Sequence, residues 1–163
     1  LREDYKMKKI LAAAAVLTLV LTGCSGVTVS KDRYDCVTNY ATGETISFLQ
    51  SKKEIDKAIG EGELDYENYY DYGNDLEIGY VGGNVDSAMI FDAWQVGDIT
   101  CDMTRDKVES IIGKPLELED VDEDYAYYAV DENGTLSGTP VFFMNIIYNF
   151  RDEINYIYFF KAE

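Results

Sequence analysis

Histidine is missing from all 163 residues of this chain. That removes the commonest general base and the commonest zinc ligand together. Cationic side chains are scarce too. Fourteen Lys and Arg stand against 31 Asp and Glu, a net charge of −17. Such a surface repels nucleic acid and anionic headgroups and favours a basic or cationic partner. It also keeps a protein soluble on a crowded surface. No glycine loop that could cradle phosphate and no Gly-x-Ser-x-Gly elbow occurs, and no serine or threonine has a histidine to activate it. Close carboxylate pairs are expected by chance in so acidic a chain. The sequence therefore reads as a non-enzyme without a cofactor or resident metal. The apolar fraction, 47%, is that of a folded domain and excludes an acidic disordered tail.

Long apolar runs are absent except at residues 10–21, which fall short of the ~20 residues that span a bilayer. Lys8-Lys9 precede this run and Leu21-Thr22-Gly23-Cys24 follow it. A basic region, a short apolar region and small residues before a cut describe a secretory signal. With a cysteine at the cut, the segment resembles a bacterial lipoprotein signal. The resemblance implies that Cys24 becomes the mature N-terminus, is thioether-linked to diacylglycerol, and anchors the protein outside the cytoplasm on the cell membrane. Residues 1–6, ahead of Met7, read as a misassigned extension, 7–23 as the signal peptide and 24–40 as a tether. Beyond Gly23 remain 140 residues with 10 basic and 29 acidic side chains, a net −19. That length makes one domain, or two small repeats sharing a core.

Cysteine is limited to three residues. With Cys24 assigned to lipid, Cys36 and Cys101 are a candidate disulfide in an oxidising compartment, or else two free thiols.

The chain resembles itself at an offset of 53. Residues 46–60 align without gaps on 99–113. Each stretch has a hydroxyl suited to an N-cap, Ser51 or Thr104, and Ser51-x-x-Glu54 fits a capping box. Apolar residues follow at helical spacing: Ile55, Ala58, Ile59 and Val108, Ile111, Ile112. Gly60 and Gly113 end the helices. Strand patterns follow, with a hairpin signal at Gly82-Gly83-Asn84 and a second turn at Arg151-Asp152-Glu153. These features predict an α+β fold of two tandem repeats, 41–92 and 93–163. Each is a short helix followed by an antiparallel β-sheet of about three strands, and Trp94 sits in a linker at 92–98.

Asp102-Met103-Thr104 to Val108, then Gly113-Lys114-Pro115, resembles the Gly-Met-Thr-x-x-x-Val…Gly-x-Pro motif of the SmpA/OmlA small-domain lipoproteins and of the tandem-repeat β-lactamase inhibitor protein. Asp102 departs from the family glycine, and the first copy lacks the motif. The resemblance implies a binding role without chemistry, on the exposed sheet face and a projecting loop.

Tyrosine is abundant, at 14 residues. It offers rigid contact area with a polar tip, and it is also a good strand former. Tyr72, Tyr80, Tyr148 and Tyr156 are the candidate binding surface. Asp120-x-Asp122-x-Asp124 hints at calcium, but Tyr125 and Asp131 occupy the positions where such a loop needs glycine and glutamate. The expected function is a membrane-anchored module that binds an envelope or secreted protein, basic in character, through the sheet face and acidic loops. The alternative is a cell-surface sensor of a small ligand or cation.

Overall fold

A computed structural model describes residues 32–73, 75–119 and 122–163. The signal segment, Cys24 and most of the tether lie outside the described residues.

Both helices form where their caps place them. In α1 (Lys52–Ile59), Glu54 reaches back to accept from the Ser51 backbone N–H at 2.9 Å and from the Ser51 hydroxyl at 2.7 Å. α2 (Arg105–Ile112) follows Thr104. Gly60 and Gly113 end the helices at φ 94° and 83°, a region that a side chain disfavours. Each helix start is fastened to a hairpin tip. The Lys52 backbone N–H donates to Gly83 O at 2.9 Å, and that of Arg105 to Asp152 O at 3.1 Å.

The strands are β1 (Cys36–Asn39), β2 (Thr45–Ser47), β3 (Glu63–Tyr66), β4 (Tyr69–Asp71), β5 (Leu76–Val81), β6 (Asn84–Ile90), β7 (Trp94–Val96), β8 (Ile99–Thr100), β9 (Tyr125–Asp131), β10 (Pro140–Tyr148) and β11 (Ile154–Lys161). The expected α+β layout, two tandem repeats each with its own sheet of about three strands, does not hold. Among the described residues 46% are strand and 12% helix, so the protein is mostly β. Strands from both halves merge into one antiparallel seven-stranded sheet, ordered β3-β4-β5-β6-β11-β10-β9. The seam is the β6–β11 pairing, where Ala88 faces Phe159 and Met89 faces Tyr158. β11 is apolar or aromatic on both faces, and leaving it as an edge would expose unpaired backbone beside hydrophobic side chains.

The second sheet, β2-β1-β7-β8, draws β1 from the end of the segment read as a tether and β7 from the segment read as a linker. Its Val37, Ile46, Trp94, Val96 and Ile99 share one core with Ile78, Ile146, Ile157 and Phe159 of the large sheet. Ile55 of α1 and Val108 of α2 enter the same core fully buried. The helices and the small sheet thus cover one face of the large sheet, called the inner face below. Period-two alternation sends the intervening residues to the outer face.

Candidate functional site

The structure divides the four candidate tyrosines between the two faces. Tyr80 follows Ile78 on the inner face and is 6% exposed; Tyr148 follows Ile146 and is 3% exposed. The half-buried Tyr72 hydroxyl donates to Asp56 Oδ1 on α1 at 2.6 Å and lies 2.7 Å from the Tyr80 hydroxyl. Burial, then the Asp56 hydrogen bond, pushes the Tyr72 phenol well above its ordinary range. Tyr148 lies under Arg105, whose guanidinium carbon is 4.1 Å from the ring centre. These three side chains brace helices against the sheet. Of the four, only Tyr156 is on the outer face, packed on Phe91 at 5.7 Å between ring centres. The proposed four-tyrosine surface is therefore not one surface. Residues two apart share a face, so Tyr80 and Tyr148 go with the buried isoleucines that precede them.

Cys36 and Cys101 are buried free thiols, not the candidate disulfide. Pairing register gives the reason. Asn39 of β1 faces Trp94 of β7, and continuing the β7–β8 ladder sets Cys101 level with Trp94. Cys36 then lies three residues along and two strands across, about 14 Å away at standard spacings. A disulfide requires its Cα atoms within about 7 Å. Burial, then neighbouring carboxylates, pushes both thiols up to about 12.

The outer face carries what the four tyrosines do not. One rung crosses all seven strands: Tyr66 faces Tyr69, then come Gly79, Ser87, Phe160, Phe143 and Ala129. Tyr69 lies flat across Gly79, where an added Cβ would fall 3.1 Å from the Tyr69 ring and 2.6 Å from Ser87 Oγ. The glycine thereby lets the Ser87 hydroxyl donate to Tyr69 at 3.0 Å. Phe160 stacks on Phe143 at 5.5 Å and on Tyr158 at 5.8 Å, and meets the edge of Tyr127 at 6.3 Å. These rings are half-buried, sheltered by one another.

The neighbouring rung starts with three acids, Glu63, Asp71 and Glu77, one on each of β3, β4 and β5. It continues through Met89, Tyr158, Asn145 and Tyr127. Asn145 is 5% exposed, and its Oδ1 is buried without a hydrogen-bond partner. Among the described residues Trp94 Nε1 and the Tyr148 hydroxyl are also buried without a partner, but both belong to the core; of the three, Asn145 Oδ1 is the one on the aromatic outer face, and buried polar atoms are almost always paired. Sequence reading singles out the tyrosine-rich segment that holds Tyr127 but passes over Asn145, Phe143 and Phe160. For Phe160 the signal was there in β11, Ile-Asn-Tyr-Ile-Tyr-Phe-Phe-Lys, which is apolar or aromatic on both faces where a solvated sheet alternates.

An open cleft of about 640 Å³ is lined by Tyr40, Asp92, Thr100, Cys101 and Asp102, with two carboxylates between them. Among the described residues no three His, Cys, Asp or Glu side chains gather to hold a metal. Asp120 of the acidic stretch lies outside the described residues, while Asp122 and Asp124 are exposed. Among the described residues no helix is long and apolar enough to cross a membrane.

No family model matches the chain, and no curated protein matches it. Among solved structures it is similar to an extracellular protein containing a SCP domain from Bacillus anthracis str. Ames, at 11% identity and a TM-score of 0.50, over 69% of this chain and 43% of that one. It is also similar to a DUF4309 family protein (YjgB) from Bacillus subtilis subsp. subtilis str. 168, at 12% identity and a TM-score of 0.45, over 69% of this chain and 79% of that one. Neither description names a SmpA/OmlA lipoprotein or a β-lactamase inhibitor. The chain spans less than half the length of the first protein, and that likeness is one of fold alone; the second is too distant to argue from.

Proposed function

We propose that this protein is an extracytoplasmic lipoprotein, held on the cell membrane through Cys24, whose folded part binds another protein without catalysing a reaction. The binding surface is the outer face of the seven-stranded sheet. The observation that carries this reading is the unpartnered Asn145 carbonyl set among half-buried aromatic rings. A lone domain gains nothing from an unmet acceptor there, whereas a partner's donor would satisfy it. Aromatic side chains supply contact area at small entropic cost, which suits a protein partner. The signal-like segment ending at Cys24 supports the location. The SmpA/OmlA-like stretch around Thr104 lends only analogy, since it caps a helix and touches no site.

Capture tests the reading. The full chain is immobilised and solubilised envelope proteins from the source cell are passed over it. A saturable partner should be retained by the wild type and by Tyr72→Phe on the inner face, and lost by Tyr158→Ala on the outer face. Retention by Tyr158→Ala would place binding elsewhere.

A further inference from the structure

The Glu63–Asp71–Glu77 row opposes like charges on adjacent strands about 4.8 Å apart, an arrangement that weakens a sheet. Among the described residues the ion pairs include Arg33–Asp35, Lys52–Asp56 and Arg105–Asp152, and none is formed by Glu63, Asp71 or Glu77. Farther along the same rung is the independent observation, the Asn145 Oδ1 acceptor, nine-tenths buried and unpartnered between Tyr158 and Tyr127. Both halves of the rung ask for the same chemistry. The acids call for positive charge, and Asn145 calls for a hydrogen-bond donor able to enter between two rings.

We propose that the partner presents a cationic, arginine-bearing extended segment that lies across the strands along this rung. The proposal rests on the outer face being the binding surface and goes beyond it by naming the occupant. A guanidinium is planar, stacks on aromatic faces and donates from its edge, so it meets Tyr158, Asn145 and Tyr127 together; an ammonium does this less well. From Glu77 to Asn145 the rung crosses three strand spacings, about 14 Å. In an extended chain, residues four apart are separated by nearly the same distance and point the same way. The segment that fits carries Arg-x-x-x-Arg, one guanidinium on the acids and one between the tyrosines. The net charge of −19 beyond Gly23 steers such a segment inward.

Fluorescent decapeptides carrying Arg-x-x-x-Arg in a Ser/Gly background are titrated against the detergent-solubilised full chain by polarisation, at low and at physiological salt. The same peptide with citrulline for arginine, and with lysine for arginine, provides the controls. The citrulline peptide should bind at least about tenfold more weakly, and Asp71→Asn with Glu77→Gln should weaken the arginine peptide about tenfold and flatten its salt dependence. Asn145→Val should weaken the arginine peptide more than the lysine peptide. Unfolding midpoints of the variants, not lowered, show that the fold is kept. Arginine-peptide binding indifferent to these substitutions is general attraction to an acidic protein and overturns the proposal. So does a second copy of this chain on the face, seen as a dimer that Tyr158→Ala dissolves. A captured partner lost by Tyr158→Ala but blind to salt and to Glu77→Gln overturns the cationic segment and leaves the binding surface standing. Capture that Tyr158→Ala leaves intact sinks the surface itself.

Discussion

The Tyr72 hydroxyl gives its proton to Asp56 Oδ1 at 2.6 Å, so the Tyr80 hydroxyl, 2.7 Å away, must donate to Tyr72. Lys52 completes the group, with Nζ 2.7 Å from Asp56 Oδ2 and 4.1 Å from the Tyr70 ring centre. The chain Tyr80–Tyr72–Asp56–Lys52 ties α1 to the inner face of the sheet. Tyr72→Phe removes a hydrogen bond to a carboxylate and is expected to cost about 1.5–3 kcal/mol. Urea unfolding measures that loss, while partner capture should be unchanged. Lost capture with intact stability would return Tyr72 to the binding surface.

The same group makes stability sensitive to acid. Partial burial raises the Asp56 carboxyl, but hydrogen bonds from Lys52 and Tyr72 outweigh it and hold the group below its ordinary value. The folded protein therefore takes up this proton less readily than the unfolded chain. The stabilisation is complete above the ordinary carboxylate range, near pH ~4, and is lost as pH falls through the lower folded value. Unfolding midpoints between neutral pH and pH 3 should fall less steeply in Asp56→Asn than in the wild type. Parallel acid limbs would remove Asp56 from the account.

Gly79 is small because Tyr69 occupies the space a side chain would need. Gly79→Ala places a methyl 2.6 Å from Ser87 Oγ and 3.1 Å from the ring. Overpacking of this kind is expected to cost about 1–3 kcal/mol and to displace Tyr69. Denaturant unfolding, with tyrosine fluorescence as the probe, reads both effects. A neutral substitution would mean that Tyr69 does not lie across the strand.

Local chemistry was the legible part of this fold. Ser51 and Glu54 form a capping box because both partners lie within one helical turn, and Gly82-Gly83 turns a hairpin for an equally local reason. The merging of two halves into one sheet was not legible. It depends on Ala88 meeting Phe159 across some 70 residues of chain, which no short window reports. The division of the tyrosines was half legible: Ile78-Gly79-Tyr80 and Ile146-Ile147-Tyr148 carry the alternation that buries Tyr80 and Tyr148. Asn145 could not be singled out, because an asparagine in an apolar strand reads the same whether its carbonyl is paired or orphaned.

Cys36 and Cys101 should behave as two separate buried thiols. With burial holding both near 12, they stay protonated and slow toward alkylating reagents at pH 8. Intact mass after alkylation should show neither modified in the native protein and both modified in denaturant, with no reductant present. Modification that appears only after reduction would show a disulfide and refute the strand register that separates them.

The substitution Asn145→Val, with stability and binding measured on the same preparation, tests the central claim most directly. Valine suits a strand and removes the orphaned carbonyl. The account predicts an unfolding free energy unchanged or higher by about 1 kcal/mol, together with loss of the captured partner. A less stable protein that still retains its partner would contradict it, since Asn145 would then serve the fold and the outer face would not be where binding occurs.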